Sequence, residues 1–236
     1  TAHSAAIRTR DDGFSIIWFD GTEESHEDVV IEQVHFTKSG GDWVHGPAEV
    51  FFTKEGLSQV TTPRQPILSL GNTIQYGHDY DRSLATVVSI GGWAASSIAL
   101  IETENDNPTA VRKLTLSPFL NRSQLVRAPT VSYADGTVAI PAYFEMGKTF
   151  GELVRMDANG YVRDKRRMSQ GHLAIQPMIV PFDAHNAVAL MRSFNDETDR
   201  LIATWTTDGG QSWSETTPLE LRNPSAPVAA VLLSSG

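Results

Sequence analysis

The sequence has 236 residues and no cysteine, and 28 Asp and Glu against 19 Lys and Arg give it a formal net charge of −9. The lack of cysteine excludes a disulfide scaffold, a thiolate metal site and a cysteine nucleophile, and the acidic balance argues against a nucleic-acid-binding surface. No apolar run approaches the ~18–20 residues of a membrane span, and at 40% hydrophobic residues the chain can bury a sizeable core.

Short apolar runs rich in β-branched and aromatic residues follow one another along the chain. They are Phe14 to Phe19, Asp28 to Phe36, Leu84 to Ile90, Thr137 to Phe144, Ala187 to Met191 and Leu201 to Thr206. Turn signals separate them, at Asp12-Gly13, Gly40-Gly41, Gly71-Asn72, Asp135-Gly136, Asn159-Gly160 and Gly209-Gly210. Apolar spacing typical of a long helix is absent, so the pattern predicts an all-β chain of short antiparallel strands.

One pattern recurs: a polar residue, often followed by Pro, then an apolar strand, a Gly or Asp turn and a second apolar strand. It begins near residues 3, 64, 127, 176 and 223. A four-stranded blade of a β-propeller occupies ~40–50 residues, and insertions lengthen it. Residues 1–236 are therefore predicted to form a single incomplete propeller domain of four blades and the first strand of a fifth.

A second repeated feature supports the blades. Thr206 to Trp213 fits the Asp-box pattern Ser/Thr-x-Asp-x-Gly-x-x-Trp. Asp208 is expected to accept hydrogen bonds from its own turn, and Trp213 to fold back as an apolar plug between sheets. Thr37 to Trp43 reads as a degraded copy and the segment around Thr103 to Asn107 as a weaker one, and such boxes are expected to fix hairpins rather than to do chemistry.

These features resemble the sialidase (neuraminidase) superfamily, specifically its bacterial-neuraminidase-repeat, Asp-box proteins. The segments that carry the resemblance are His3-Ser4-Ala5, Trp18 to Thr22, Asp28 to Ile31, Gly91-Gly92-Trp93, Ser117 to Asn121, Val126 to Pro129, Pro141-Ala142-Tyr143, Gln176-Pro177 and Asn223-Pro224-Ser225. The resemblance implies a six-bladed β-propeller, and hence further blades, roughly 100 residues, beyond Gly236.

The resemblance also implies a site, in which three arginines bind the substrate carboxylate, an Asp is the acid/base and a Tyr paired with a Glu is the nucleophile. His3 stands where the first arginine is expected, and Asp28 where the acid/base is expected. Neighbouring acids are predicted to raise the pKa of Asp28, although a solvated acidic loop is an equal alternative. Gln176 replaces the Glu, Arg192 matches the second arginine, and the third arginine and the Tyr would lie beyond Val228.

Four further residues are candidates for the site. Arg127 opens the third blade in an Arg-x-Pro start, with a structural ion pair as its alternative, as for Arg192. Tyr143 and Glu145 end one strand on the same face, and form a Tyr/Glu pair if that face borders the channel. Trp93 is either a sugar-stacking platform or a plug between blades.

The leading interpretation is a sialidase-like glycoside hydrolase that acts on an acidic or polyhydroxylated sugar. Its predicted catalytic residues are Asp28, Tyr143 and Glu145, and its predicted substrate-binding residues are His3, Trp93, Arg127, Gln176 and Arg192. The alternatives are a non-catalytic glycan-binding propeller, a polysaccharide lyase on the same scaffold, and a structural or protein-interaction propeller. No metal or other cofactor is expected, the predicted partner is a carbohydrate, and a second chain or fragment is a candidate for completing the propeller. The carbohydrate interpretations require these side chains to meet in one central pocket.

Overall fold

The structure is a computed structural model that describes residues 2–24, 26–114, 123–133, 137–169, 174–193 and 198–235. The chain divides into two compact units, Thr1–Arg127 and Ala128–Gly236, which are described in turn. The predicted turn at Asp135-Gly136 and the segment Ser117 to Asn121 lie outside the described residues.

Sheet 1 of the first unit is antiparallel and follows the predicted alternation of apolar residues. Its strands are β1 (His3–Arg10), β2 (Gly13–Asp20), β3 (Val30–Ser39), β4 (Asp42–His45) and β5 (Glu49–Phe52). They are ordered β1-β2-β3-β4, and β5 also pairs with β3. Along β2, Ile17 and Phe19 are buried while Ile16 and Trp18 are half-exposed, because successive side chains point to opposite faces.

Sheet 2 of the first unit follows a short helix. The elements are α1 (Lys54–Val60), β6 (Ser69–Tyr76), β7 (Asp79–Val88), a 3-10 helix (Trp93–Ala95), β8 (Ser97–Glu104) and β9 (Asn107–Lys113), and β6 to β9 pair in order. The short strand β10 (Gln124–Val126) follows and is not one of the four strands of this sheet. Helix α1 begins where the Thr53 hydroxyl accepts a hydrogen bond from the Gly56 amide at 3.0 Å, satisfying one of the amides that a helix start leaves without a partner. Sheets 1 and 2 share one core, to which Phe19, Ile31 and Leu70 belong.

A buried arginine links the two sheets of the first unit. Arg8 on β1 has no exposed surface, and its Nη1 and Nη2 both lie 3.2 Å from Asp106 Oδ1 in the β8–β9 turn. Arg8 also donates to the Gln33 side chain at 3.0 Å and to the Tyr80 carbonyl at 2.7 Å, and its guanidinium stacks 4.1 Å from the ring centroids of Phe51 and Tyr80. Burial lowers the pKa of Arg8, whereas Tyr80 and Asp106 raise it, so these partners stabilise the buried positive charge.

The second unit contains two antiparallel sheets. In sheet 3, β12 (Val138–Phe144), β13 (Phe150–Met156) and β14 (Val162–Arg167) pair in order, and β11 (Val131–Ser132) pairs with β12. In sheet 4, β15 (Ala174–Pro181), β16 (Ala187–Ser193), β17 (Arg200–Thr206) and β18 (Thr217–Arg222) pair in order. After Arg222 the described residues form no strand, so the blade start near residue 223 stays a prediction.

The turn at Asp208 has the hydrogen bonds that the sequence predicts. Its carboxylate accepts from the Ser212 hydroxyl at 2.5 Å and from the Gln211 and Ser212 amides at 2.9 Å each. These bonds, with that of the Ser212 hydroxyl foremost, lower the pKa of Asp208 to about 2. Trp213 packs against a core cluster that joins Leu153 of sheet 3 to Ile179 of sheet 4, as a plug between sheets would.

The predicted turn at Gly71-Asn72 is wrong, because both residues lie inside β6. Three strands carry the same irregularity, since their pairing register shifts between His3 and Ala6 in β1, between Leu70 and Thr73 in β6, and between Ile175 and Met178 in β15. Gly71 therefore belongs to a bulge in a strand. A bulge and a turn draw on the same residue types, because each needs a backbone that departs from the regular ladder.

Candidate functional site

Of the predicted binding residues in the first unit, His3 lies at the start of β1 and Arg127 contacts the backbone there. His3 is exposed, and its ring meets that of Phe19 edge-on at 5.2 Å. Arg127 is half-buried and donates from Nη1 to the carbonyl of Ala5, inside the β1 bulge, at 3.2 Å. The structure thus brings Arg127 to a backbone oxygen two residues from His3.

Asp28 lies in the loop between β2 and β3, where its hydrogen bonds oppose the predicted rise of its pKa. Its carboxylate accepts from the Thr22 amide at 3.1 and 3.2 Å, and hydrogen-bonds with the Thr22 hydroxyl and, at 2.7 Å, with His26 Nδ1. The Thr22 hydroxyl first, and then His26, lower the pKa of Asp28 to about 2. The expected rise in pKa is therefore wrong, because donors to the carboxylate outweigh the neighbouring acids.

Trp93 covers the bulge of sheet 2. A Cβ on Gly71 would lie 2.9 Å from Trp93 Cη2 and 3.3 Å from Cζ3, so the indole rests directly on the β6 backbone. Trp93 is half-buried, and part of its surface stays accessible. This contact accounts for the glycine at position 71, and it gives Trp93 a packing role within its own sheet.

In the second unit, Tyr143 and Gln176 are joined directly. Gln176 Nε2 donates to the Tyr143 hydroxyl oxygen at 3.3 Å, and Gln176 Oε1 is buried with no hydrogen-bond partner among the described residues. Gln176 adopts φ +56°, a conformation that costs a non-glycine residue about 1–3 kcal/mol. Tyr143 is 2% exposed, while Glu145 at the end of the same strand is half-buried.

The neighbours of the predicted residues meet at one end of sheets 3 and 4. Gly151 lies opposite Tyr143 in the β12–β13 pairing. A Cβ on Gly151 would lie 2.8 Å from Met191 Sδ and 3.5 Å from Pro177 Cγ, the residues next to Arg192 and Gln176. The Gly151 backbone thus packs so closely against Met191 and Pro177 that no side chain fits at Gly151. This contact places Tyr143, Gln176 and Arg192 at the same end of the sheet pair.

Arg192 itself is held by the chain that follows sheet 4. Its Nη1 donates to the Ser225 carbonyl at 3.2 Å, and the Ser225 hydroxyl donates to the Ser193 carbonyl at 2.9 Å. Ser225 has φ +60°. Arg127 makes the corresponding contact in the first unit, where its target Ala5 follows Ser4 at φ +57°.

Left-handed residues are the feature that sequence reasoning missed. Ser4, Ser123, Gln176 and Ser225 all have φ between +55° and +60°, and each lies within four residues of a predicted blade start. Serine and glutamine carry no signal for this conformation, so composition gives no warning of it. By contrast, the sequence could have indicated that Thr22 and His26 contact Asp28, because all three residues lie in one short loop.

The eight predicted residues divide between the two units. His3, Asp28, Trp93 and Arg127 belong to the first, and Tyr143, Glu145, Gln176 and Arg192 to the second. In the second set Gln176 contacts Tyr143, whereas a single pocket that unites both sets stays a prediction. Among the residues that the structure describes, no group of three or more His, Asp and Glu is arranged to hold a metal ion. Within the same ranges, no helix is long and apolar enough to cross a membrane.

Comparison with solved structures gives the fold at low sequence identity. A Hadza microbial sialidase matches with a TM-score of 0.71 at 12% identity, over 96% of this chain and 48% of its own. A Dyadobacter fermentans protein of unknown function matches with a TM-score of 0.65 at 10% identity, over 94% of this chain and 70% of its own. An exo-β-1,3-galactanase from Clostridium thermocellum matches with a TM-score of 0.60 at 11% identity, over 94% of this chain and 49% of its own.

These likenesses show the fold alone, which is the β-propeller, with the four antiparallel sheets as its blades. The chain spans about half the length of the sialidase and of the galactanase that it matches. No curated protein matches the sequence. The model of the BNR repeat-like domain matches residues 12–236, nearly the whole chain, and the protein therefore belongs to the BNR repeat-like family, as a sialidase-like β-propeller.

Proposed function

We propose that the protein is a carbohydrate-active propeller of the glycoside hydrolase kind, which acts on an acidic or polyhydroxylated sugar at the end of sheets 3 and 4. The observation that carries the proposal is the contact between Gln176 and Tyr143. It pairs a strained, left-handed residue with a tyrosine hydroxyl at the same end as Arg192 and Glu145. Backbone strain of this kind gathers at ligand sites, where the surrounding structure maintains it.

The side chains suit a sugar with an anionic group. Arg192 offers a guanidinium, which binds carboxylates in a fixed two-pronged geometry. Its Nη1 contact with the Ser225 carbonyl fixes its direction. Glu145, half-buried directly after β12, is the carboxyl group to which we assign proton transfer to or from the glycosidic oxygen.

Binding without turnover is the second candidate, and two observations favour it. Gln176 stands where the resemblance implies a glutamate, and its amide cannot take the proton of the Tyr143 hydroxyl. The hydroxyl of Thr22 and then His26 lower the pKa of Asp28 to about 2, which disfavours the protonated form that a general acid needs. A lyase that uses Tyr143 and Glu145 differs from both, because its product is an unsaturated sugar.

A substrate panel tests the proposal. The full chain is incubated with aryl sialosides, aryl uronosides, neutral aryl glycosides and uronic-acid polysaccharides, and both released aglycone and unsaturated product are measured. We expect aglycone release from an acidic glycoside. Glu145→Gln is expected to lower kcat at least ~100-fold, as for the loss of a general acid or base. Glu104→Gln, at an exposed residue in the first unit, is the matched control and is expected to leave kcat unchanged.

The outcomes separate the candidates. Sugar binding without any product supports the glycan-binding module, and unsaturated product supports the lyase. Normal kcat in Glu145→Gln removes that residue from the site. Neither binding nor turnover across the panel contradicts the carbohydrate proposal as a whole.

A further inference from the structure

The outer strand of sheet 3 is strongly basic, although the chain as a whole has a formal net charge of −9. Strand β14 has four cationic side chains and one acidic side chain. Neighbouring carboxylates neutralise two of the cations, because Lys165 lies 3.6 Å from Glu152 and Arg166 lies 3.3 Å from Asp164. Arg167, the last residue of the strand, is exposed and has no carboxylate within 4.0 Å among the residues that the structure describes.

An aromatic ring fixes the direction of the Arg167 side chain. The guanidinium carbon lies over the Phe150 ring, 3.9 Å from its centroid. Phe150 is itself 9% exposed and stacks on Phe144 at 5.1 Å with an interplanar angle of 14°, so the ring is a fixed platform. A guanidinium that lies on an aromatic face still presents its N–H groups to an anion. Arg167 is therefore a preoriented cation at the surface, and little freedom is lost when it binds an anionic group.

Arg167 lies at the end of sheet 3 to which the proposed sugar site belongs. The residue opposite Arg167 on β13 is next to Gly151, which pairs with Tyr143. The Ser169 hydroxyl accepts from the Gly151 amide at 2.8 Å and donates to the Ala174 carbonyl at 3.1 Å, which ties the chain after Arg167 to the start of β15. Two strand spacings separate β14 from β12, so Arg167 is about 10 Å from the end of β12.

We propose that Arg167 binds a second carboxylate of an extended acidic glycan, whose first acidic sugar occupies the site at Arg192 and Glu145. The inference rests on the proposed function, and it narrows the substrate class to oligosaccharides or polysaccharides with repeated carboxylates. A single sugar unit is too short to span the distance of about 10 Å between the ends of β12 and β14.

The charge of the chain explains why a polyanion needs such a group. A net charge of −9 repels an anionic polymer over the protein surface as a whole. The cationic strand β14 offsets that repulsion locally, and the Arg167 fork adds a directed, charge-assisted hydrogen bond to a carboxylate. Arg167 thus selects for the length of the glycan, whereas Arg192 is assigned to its first acidic sugar.

Calorimetric titration with single sugars and with their oligomers tests the contact. The probes are galacturonic acid, sialic acid and linear oligomers of each, and the wild type is compared with Arg167→Met, which keeps an apolar side chain over Phe150. We expect the wild type to bind the oligomer of one of these acids at least about 10-fold more tightly than the single sugar, the effect of one charge-assisted hydrogen bond. Arg167→Met is expected to lose this advantage and to bind the single sugar with unchanged affinity.

A matched control separates a specific contact from general attraction. Arg163→Met removes the same charge from an exposed position near the other end of β14, and is expected to bind the oligomer within about 2-fold of the wild type.

The outcomes distinguish this inference from the proposed function. Equal binding of the single sugar and its oligomer by the wild type overturns the inference and leaves the proposed function standing. An oligomer advantage that survives in Arg167→Met, or that falls equally in Arg163→Met, also overturns the inference alone. If neither the single sugars nor the oligomers bind, the proposed function and the inference fail together.

Discussion

Replacing Arg8 by methionine removes the charge that links sheets 1 and 2 while it keeps most of the side-chain volume. The substitution removes the Arg8 donors to Asp106, the Tyr80 carbonyl and Gln33, while the Tyr80 hydroxyl still donates to Asp106 at 3.3 Å. Breaking a fully buried ion pair by removing one partner costs about 3–5 kcal/mol. Because the Asp106 side chain is 24% exposed, water compensates part of that cost, and we expect a loss of about 2–4 kcal/mol.

Urea denaturation followed by tryptophan fluorescence measures this loss as a change in the free energy of unfolding. The matched control is Arg82→Met. Arg82 also faces two carboxylates, Asp79 and Glu102, at 3.5 Å each, but its side chain is 43% exposed. Surface ion pairs contribute about 0–1 kcal/mol, so the control is expected to stay within that range.

The double variant Arg8→Met with Asp106→Asn tests the physical reason. Removing the uncompensated carboxylate is expected to recover about 1–2 kcal/mol of the loss, since a buried pair replaced by neutral groups is close to neutral in stability. A single variant that loses less than about 0.5 kcal/mol refutes the assignment of Arg8 as a link between the sheets. A double variant as unstable as the single one refutes the electrostatic explanation.

Three further predictions follow from individual contacts. Asp208→Ala is expected to lower the free energy of unfolding by about 1 kcal/mol at pH 7. Because hydroxyl and amide donors lower the pKa of Asp208 to about 2, the stability difference between wild type and variant is complete above the unfolded pKa near 3.9 and disappears as the pH falls through 2. Urea denaturation at several pH values checks this dependence. Gly71→Ala is expected to lower stability by about 1–3 kcal/mol, because the new Cβ clashes with Trp93. Thermal unfolding measures the loss, with Gly46→Ala as the control, since no atom lies within 4 Å of its new Cβ. Equal effects of the two substitutions would contradict the clash. Asp28→Asn is expected to leave the position of the acidic limb in a pH–rate profile unchanged, because the pKa of Asp28 is already about 2, and a shift of that limb would show that Asp28 titrates in the working range.

The fold was largely predictable because its signals are local. Alternation of apolar residues gave the strands, and the Asp208 turn formed the hydrogen bonds that its residue types allow. Gly71 and Asn72 were assigned to a turn because bulges use the same residues, and only the distant Trp93 distinguishes the two. Arg8 in a buried strand was not predicted, since its partners come from other strands and from the β8–β9 turn.

The site was less predictable, because its geometry depends on contacts between distant segments. The sequence indicated Tyr143, Gln176 and Arg192 separately. It did not indicate the hydrogen bond from Gln176 to Tyr143 or the one from Arg192 to the Ser225 carbonyl. For Asp28, counting nearby acids gave the wrong direction of the pKa shift. Hydrogen bonds within about 3 Å affect a carboxylate more strongly than exposed charges that water screens.

Recognition of an acidic sugar through Arg192 is the central functional claim, and calorimetric titration tests it most directly. The affinity of the chain for an acidic sugar from the panel is compared with that for the carboxylate methyl ester of the same sugar, in the wild type and in Arg192→Met. The wild type is expected to bind the ester about 10- to 100-fold more weakly, the range of a charge-assisted hydrogen bond, and Arg192→Met is expected to bind both forms equally. Equal binding of acid and ester by the wild type, or an unchanged preference for the acid in Arg192→Met, would contradict the claim.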